Sequence, residues 1–277
     1  MPSHNFCSAR EALAERLSLF LDREEAKSES WRWFDEGLGW GRARLFAHGE
    51  EPMPNDIQAK LATWFERRKR GEPWAYILGW SLWKGRRFIV TPATLIPRPE
   101  TEQVLEEAFR LSHIISAEKL VDVGTGTGIL AITIALESGL SVSATDISND
   151  ALEIARQNAL MHAVNIDWSV GDLLEPIAGA IDMVVSNPPY IDPGNEKTLQ
   201  RELGFEPRVA LFSTGKGMDV ATRLLGQCLE RGVRGAVLEI GAGQGGELES
   251  RAFDMGWATV AIKQDMAKHD RVLIARL

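Results

Sequence analysis

Residues Leu120–Gly128 read Leu-Val-Asp-Val-Gly-Thr-Gly-Thr-Gly, and this stretch decides the fold. A short apolar strand runs into three glycines at alternate positions, and the apolar residues from Ile129 onward predict a helix. Glycine lets the backbone turn tightly and approach a ligand closely at the start of a helix. Dinucleotide folds require Gly-x-Gly-x-x-Gly, but Ile129 occupies the third glycine position of that pattern. The stretch therefore predicts a ligand-binding α/β turn and disfavours a nicotinamide cofactor.

The chain around this turn alternates predicted strands with predicted helices. The predicted strands are residues 120–123, 142–145, 166–170, 181–186, 236–240, 257–262 and 271–276. The predicted helices are residues 99–112, 129–137, 148–161, 217–231 and 244–255. This alternation predicts a Rossmann-like, doubly wound α/β domain with a seven-stranded, mostly parallel sheet. Ligands of such sheets bind outside the carboxyl ends of the strands.

Two acidic residues end the next two strands. Asp146 lies 22 residues after Gly124, where a carboxylate can accept hydrogen bonds from ribose hydroxyls. Asp172 suits an adenine amino group, and Leu173 can pack on the ring. The chain has no P-loop Gly-Lys-Ser/Thr, which disfavours a nucleoside triphosphate. S-adenosylmethionine fits better, because its sulfonium would lie above Gly124–Gly128 with its methyl toward the fourth strand. The predicted cofactor-binding residues are Gly124, Thr125, Gly126, Thr127, Gly128, Asp146, Asp172, Leu173 and Asn187.

The fourth predicted strand ends on Asn187-Pro188-Pro189-Tyr190. The two prolines remove two backbone donors and fix φ, so the carbonyls here are rigid acceptors. Two carbonyl oxygens can receive the hydrogens of a planar NH₂ group while an aromatic ring covers its plane. We predict that all four residues bind substrate and that Asn187, Pro188 and Tyr190 are catalytic. The alternative is a plain strand-ending turn, which the neighbouring glycine turn and acids disfavour.

No obvious general base lies near this motif in the sequence. His162 is predicted to lie on a helix surface, so proton loss is expected to follow methyl transfer, to solvent or to a carbonyl. Arg98 and Glu102 either order a loop over the cofactor or pair with each other. Glu239 either shapes the pocket or caps the fifth strand.

Charge and aromatic content divide the 277-residue chain into two parts. Residues 1–90 hold 15 Lys and Arg against 13 Asp and Glu, a net charge of +2, and the rest hold 16 against 26, a net charge of −10. Seven of the nine tryptophans fall in the first 83 residues. The predicted segments are a helical domain over residues 1–72, a β-hairpin linker over 73–95 and a methyltransferase domain over 96–277. The acidic main domain argues against extended binding of nucleic-acid backbone.

The N-terminal part is predicted to be a small helical bundle. Its predicted helices span residues 8–22, 29–37, 41–48 and 55–70. Ser8 and Asn55 are predicted caps, and the tryptophans are predicted to form the core. The basic run Arg67–Arg70 is predicted to be a solvated helix end, and the alternative is a nucleic-acid contact. A hairpin turn is predicted near Lys84-Gly85.

Composition sets the expected compartment. Cys7 and Cys228 lie far apart in the sequence and predict neither a disulfide framework nor a metal cluster. No apolar run approaches the ~20 residues of a membrane span, and the N-terminus lacks a signal pattern. We expect a cytoplasmic protein without a metal site or membrane association.

Further segments carry a specific resemblance. Together with Asp122–Gly128, Asp146 and Asn187–Tyr190, the segments that carry it are Pro73–Gly79, Leu95–Glu102, Glu206–Leu211, Leu238–Gly241, Gln244-Gly245 and Asp270–Val272. In this order they resemble the peptide chain release factor glutamine N5-methyltransferases, the HemK/PrmC family. The resemblance runs from about residue 8 to the C-terminus.

The resemblance implies an enzyme that methylates a glutamine side-chain amide nitrogen with S-adenosylmethionine and leaves S-adenosylhomocysteine. It implies as substrate the Gly-Gly-Gln loop of class 1 release factors, held in part by the N-terminal helical domain. We expect a monomer without direct nucleic-acid contact. The alternatives are an adenine or cytosine amino methyltransferase acting on nucleic acid and a non-catalytic adapter with an inactive methyltransferase fold.

Overall fold

The structure is a computed structural model that describes residues 5–277. Its contacts divide the chain into two compact units, the first ending at Leu78 and the second running from Gly79 to Leu277. The domain boundaries predicted after residues 72 and 95 stay predictions. Residues 1–4 of the predicted first domain lie outside the described residues.

The first unit is helical. Its helices are α1 (Phe6–Leu17), α2 (Arg23–Arg32), α3 (Arg42–His48), α4 (Asn55–Lys69) and α5 (Trp74–Leu78), with a π-helical turn (Trp33–Gly37) after α2. Trp33 and Trp74 stack with ring centroids 4.8 Å apart, and Trp64 meets both rings edge-on. These three tryptophans and Trp40 are buried, which confirms the predicted tryptophan core for them. Arg68 is also buried, in an ion pair with Glu29, so the predicted solvated helix end over Arg67–Arg70 is wrong at that residue.

Both predicted helix caps in this unit are wrong. Asn5 caps α1, since its Oδ1 accepts a hydrogen bond from Ser8 N (2.8 Å), which places Ser8 inside the helix. Asn55 is the first residue of α4, because Pro54 holds the extended cap conformation (φ −57°, ψ 147°) that precedes it. In addition, Asp22 caps α2 through bonds to Glu24 N and Glu25 N, so α1 ends earlier than the predicted residue 22.

The second unit opens with a hairpin of β1 (Trp80–Trp83) and β2 (Arg86–Ile89). Its turn lies at Lys84 and Gly85, both with positive φ (44° and 75°), as the sequence predicts. The elements that follow are α6 (Thr101–Ile114), β3 (Lys119–Val123), α7 (Ile129–Ser138), β4 (Ser141–Asp146), α8 (Asn149–Met161), β5 (Asp167–Val170), β6 (Met183–Ser186), α9 (Arg208–Leu211), α10 (Thr214–Gly217, a distorted turn), α11 (Asp219–Glu230), β7 (Gly235–Glu239), α12 (Gly245–Met255), β8 (Thr259–Gln264) and β9 (Asp270–Arg276).

The main sheet of this unit has seven strands in the order β5-β4-β3-β6-β7-β9-β8. The first five pair in parallel, and β9 runs antiparallel to both β7 and β8. The predicted seven-stranded, mostly parallel Rossmann-like sheet is therefore confirmed.

Alternate strand residues bury opposite faces of this sheet. Val121 and Val184 pack in one apolar cluster with α11 and α12, whereas Leu120 and Val185 pack in a second cluster with α6 and α7. A period of two sends successive side chains to opposite faces. Helices on both faces leave the carboxyl ends of the parallel strands as the accessible edge of the sheet.

Candidate active site

The site lies where the winding direction of the sheet reverses. From β3 the chain winds outward through β4 to β5, and β6 then returns to the other side of β3. Val123 pairs with Ser186, whose Oγ donates to the Val123 carbonyl (2.7 Å). The glycine turn and Asn187 therefore leave adjacent strand ends at a topological switch point, where open α/β sheets bind ligands.

A cavity of about 240 Å³ opens at this edge. Its walls come from the ends of β3 to β6, from the loop before α6 and from the segment around α9. Among the predicted site residues, those that line the cavity are Gly124, Thr125, Gly126, Thr127, Asp146, Asp172, Leu173, Asn187, Pro188 and Pro189. The structure thus gathers most of the predicted residues around one space.

The glycines of the turn are required for conformation and for close packing. Gly124 and Gly126 have φ of 69° and 56°, which other residues rarely adopt, although a Cβ at either would meet open space. Gly128 (φ 81°) caps α7, and a Cβ there would come within 3.0–3.3 Å of Ile132, Ala155 and Trp168. Gly128 therefore supports the turn from behind.

Asp122 is a site residue that the sequence interpretation missed. It is 1% exposed, and its Oδ2 accepts hydrogen bonds from Thr125 Oγ1 (2.6 Å) and Ala131 N (3.1 Å). Its Oδ1 is buried without a hydrogen-bond partner in the described part of the chain. Burial raises the pKa of Asp122 to about 7. An acid inside an otherwise apolar strand was the signal that could have identified it.

Asp146 ties the glycine turn to the start of α8. Its Oδ2 accepts from Gly126 N (2.8 Å) and its Oδ1 from Ser148 N (2.9 Å). Burial raises its pKa, while these backbone hydrogen bonds favour the charged form. Each oxygen keeps a second lone pair for a ligand hydroxyl.

Asp172 and Leu173 form the next part of the wall. Asp172 pairs with Arg223 of α11, which also lines the cavity and was not predicted. Leu173 is buried in a left-handed conformation (φ 50°), and Thr145 Oγ1 donates to its carbonyl (2.9 Å). Asp172 therefore reaches the cavity already paired to a cation.

Asn187 is held by a hydrogen-bonded chain of side chains. Its Nδ2 donates to Thr101 Oγ1 (3.1 Å), and Thr101 Oγ1 donates to Glu239 Oε2 (2.7 Å). Tyr190 Oη donates to Glu239 Oε1 (3.3 Å). Burial raises the pKa of Glu239 to about 7 and that of the Tyr190 hydroxyl well above its usual value. Sequence interpretation missed Thr101 and left the role of Glu239 open.

Tyr190 lines a neighbouring cavity of about 450 Å³. Gln244 secures this part of the chain, since its Nε2 donates to the Tyr190 carbonyl (2.9 Å) and the Lys216 carbonyl (3.1 Å). Its Oε1 accepts from Gly241 N (2.7 Å). The Asn-Pro-Pro-Tyr motif therefore lies between two cavities. Its first three residues line the cavity at the strand ends, and Tyr190 lines the neighbouring one.

The loop before α6 is anchored by Glu206. This buried carboxylate accepts from Ile96 N (3.1 Å) and forms an ion pair with Arg98, which lines the cavity. Burial raises the pKa of Glu206, and the positive charge of Arg98 opposes that shift. The sequence offered Glu102 as a pairing partner of Arg98, but the structure pairs Arg98 with Glu206 instead.

Residues 5–277 contain neither a metal-binding cluster nor a membrane-spanning helix. Across that range, no cluster of three or more His, Cys, Asp or Glu side chains is arranged to hold a metal ion. No helix in the same range is both long and apolar enough to cross a membrane.

Two family matches cover much of the chain. Residues 11–79 match the PrmC N-terminal domain, and residues 101–204 match the methyltransferase small domain. Among solved structures, the hMettl16 catalytic domain in complex with MAT2A 3'UTR hairpin 1 aligns with a TM-score of 0.58 at 14% identity over 84% of each chain. At that identity the likeness concerns the fold, and it confirms the class I methyltransferase architecture.

Curated relatives match at higher identity. The release factor glutamine methyltransferase of Neisseria gonorrhoeae is 37% identical and covers 85% of this chain and 88% of its own. That of Staphylococcus aureus is 34% identical and covers 95% of this chain and 97% of its own. Similarity of this extent over both units confirms the resemblance seen in the sequence motifs. The chain belongs to the release factor glutamine methyltransferase family.

Proposed function

We propose that the protein transfers a methyl group from S-adenosylmethionine to a glutamine side-chain amide nitrogen. The target is the glutamine of the Gly-Gly-Gln loop in class 1 peptide chain release factors. The other products are S-adenosylhomocysteine and one N–H proton, which is lost to solvent or to a carbonyl after the transfer. One observation carries the proposal: the Asn187 amide and the glycine turn border the same cavity at adjacent strand ends. Membership of the family supports the same reaction.

The residues around the cavity fit S-adenosylmethionine chemically. Asp122 Oδ1 is a buried acceptor without a partner among the described residues, and it suits a donor such as an ammonium group. Asp146 has free lone pairs for ribose hydroxyls, and Leu173 offers an apolar surface for a ring. The bound group would supply an electrophilic methyl on a sulfonium. The residues proposed to contact it are Asp122, Gly124, Thr125, Gly126, Thr127, Asp146, Asp172, Leu173 and, at the methyl end, Asn187, while Gly128 supports the turn from behind.

The chain's part in the reaction is to position a weak nucleophile. An amide nitrogen attacks poorly because its lone pair is delocalised into the carbonyl. Asn187 Oδ1 and the Pro188 carbonyl are proposed to accept the two N–H hydrogens, which fixes the direction of the nitrogen. Holding reacting atoms about 3–3.5 Å apart in line supplies much of a rate enhancement of this kind. Pro189 and Tyr190 are proposed to complete the substrate contact, with the Tyr190 ring covering the amide plane.

The proposed partner is a protein and not a nucleic acid. Residues 91–277, which include the cavity, carry a net charge of −10, and this charge opposes binding of a phosphate backbone. The N-terminal helical unit is proposed to help hold the release factor. We propose that the enzyme acts as a monomer in the cytoplasm, where release factors work.

The test is transfer of labelled methyl to a purified class 1 release factor. The wild-type factor should be labelled, and a variant with the loop glutamine changed to alanine should not be. Labelling of both factors, or of neither, would overturn the proposed substrate. Label recovered in adenine or cytosine of added RNA or DNA would favour a nucleic-acid methyltransferase instead.

A further inference from the structure

Two side chains connect the cavity to a carboxylate that lies behind its wall. Asn187 and Thr101 line the cavity, and Glu239 lies beneath them, with Thr101 and Glu239 each only 1% exposed. The bond from Asn187 to Thr101 spans 86 residues, and that from Thr101 to Glu239 spans 138. Tertiary structure therefore brings together a chain of polar groups that no local motif contains.

The donors and acceptors available on each group fix the direction of the hydrogen bonds between these side chains. Above its pKa of about 7, Glu239 is ionised and has no proton to donate, so its Oε2 can then only accept. The single hydroxyl proton of Thr101 is therefore directed to Glu239, and toward Asn187 the threonine oxygen can only accept. It follows that Asn187 presents its NH₂ group to Thr101 and that its Oδ1 points the other way.

We propose that Glu239, acting through Thr101, is a positioning residue that keeps Asn187 Oδ1 available as the acceptor for the substrate amide. This inference rests on the proposed function, in which Oδ1 receives a hydrogen of the glutamine NH₂. An Asn187 amide turned by 180° would set its own NH₂ against the substrate NH₂. Two donors facing each other would remove the contact that directs the nucleophile.

The setting of Glu239 supports a fixed carboxylate. Its two oxygens accept from two different hydroxyls, Thr101 on Oε2 and Tyr190 on Oε1. The carboxylate thus links the first and last residues of the Asn-Pro-Pro-Tyr motif. Burial raises its pKa to about 7, hydrogen bonds from Thr101 and Tyr190 oppose the rise, and the charges of Glu100 and Arg271 act in opposite senses. A strand that only needed a cap would not require a buried acid here.

The experiment measures kcat and both KM values for methyl transfer from S-adenosylmethionine to a class 1 release factor at about pH 8.5, where Glu239 is ionised. Thr101→Val removes the hydroxyl, and Thr101→Ser retains it. Glu239→Gln is nearly isosteric, but its NH₂ can donate to Thr101 and free the threonine proton for Asn187 Oδ1. Thr133→Val is the matched control, because Thr133 Oγ1 is a buried hydroxyl without a partner among the described residues and does not line the cavity.

Thr101→Val should lower kcat by about tenfold, the effect of one misdirected hydrogen bond, with both KM values unchanged. Glu239→Gln should lower kcat by roughly three- to tenfold, since it removes the preference for one amide orientation. Thr101→Ser should stay within about twofold of wild type, as should Thr133→Val.

Two results would overturn the positioning role while the proposed function stands. One is that the wild type is active and that Thr101→Val or Glu239→Gln folds and keeps an unchanged kcat. The other is a raised KM at unchanged kcat, which would make Thr101 only a wall residue. If Thr101→Val does not fold, Glu239→Gln decides alone. A wild type that does not methylate the release factor overturns the proposed function, and the positioning role with it.

Discussion

Three buried acidic side chains represent two opposite settings: Glu29 in the first unit, and Asp122 and Glu239 in the second. In the first unit, Glu29 accepts hydrogen bonds from Arg68 Nε (2.7 Å) and Nη2 (3.0 Å) and from Trp33 Nε1 (3.2 Å). In the second unit, the hydrogen bonds to buried Asp122 and Glu239 come from hydroxyls and a backbone amide, and burial raises both pKa values to about 7. The first setting compensates a charge fully and serves stability. The second keeps acceptors ready beside a cavity.

The largest effect is expected from breaking the compensated pair. Arg68→Leu leaves Glu29 buried without its cation, which should destabilise the first unit by about 3–5 kcal/mol. Five of the nine tryptophans lie in that unit, so urea unfolding followed by tryptophan fluorescence reports on it. Glu29→Gln combined with Arg68→Leu should recover much of the loss, because no charge is then buried and Trp33 keeps an acceptor. If Arg68→Leu alone is as stable as wild type, the ion pair is not required for the stability of the first unit.

The next effect concerns an acceptor held for the substrate. Asn187→Ala should lower kcat by about 10²–10³, the range seen when a preorganised group that directs the reaction is removed. Binding of S-adenosylmethionine, measured by calorimetry, should largely survive. Asp146→Ala is the converse control and should weaken that binding, since Asp146 holds the glycine turn through Gly126 N. If Asn187→Ala loses cofactor binding but keeps its kcat at saturating S-adenosylmethionine, Asn187 serves to bind the cofactor and does not direct the substrate amide.

An intermediate effect should appear as a pH dependence of stability. The folded pKa of Asp122, about 7, exceeds the unfolded value of about 3.9, so the folded state binds more protons between these values. Its contribution to stability is therefore fully present below about pH 4 and is lost as the pH rises through about 7. The unfolding free energy of Asp122→Asn relative to that of wild type should therefore increase between pH 5 and pH 8, by on the order of 2 kcal/mol. Urea unfolding followed by circular dichroism at both pH values measures this gain.

Asp182 provides the matched control with the opposite shift. Desolvation acts to raise its pKa, but the backbone amides of Glu118 and Lys119 and the Arg234 guanidinium lower it overall. Its contribution is present above about pH 4 and is lost only as the pH falls below that value. The effect of Asp182→Asn should therefore not change between pH 5 and 8. If the difference in unfolding free energy between Asp122→Asn and wild type is also the same at pH 5 and pH 8, Asp122 is ionised throughout this range.

The sheet was the part of the fold that sequence predicted best. Buried parallel strands appear as short apolar runs, and the predicted strand 142–145 differs from the observed Ser141–Asp146 only at its ends. The same logic placed Asp146 and Asn187 at one edge, because parallel strands end together. Helices such as α5 and α9 were missed, since five and four residues are too few to show a helical period.

The supporting residues of the site could not be predicted in the same way. Thr101 lies 138 residues from Glu239 along the chain, and Arg98 lies 108 residues from Glu206. Contacts between segments this far apart in the chain depend on packing and leave no periodic pattern in the sequence. A buried acid such as Asp122 was visible as an interruption of an apolar strand, but its unpaired oxygen was not.

The smallest effect is expected at an exposed pair, which completes the comparison of compensated charges. Arg156 Nη1 lies 2.7 Å from Glu153 Oε1 on α8, with the two side chains 37% and 57% exposed. Water solvates both charges already, so the pair contributes about 0.3–0.5 kcal/mol. Alanine has a slightly better helix propensity than arginine, which offsets part of that loss in Arg156→Ala. Urea unfolding should place this variant within about 0.5 kcal/mol of wild type. A loss comparable to that of Arg68→Leu would mean that burial is not what separates the two pairs.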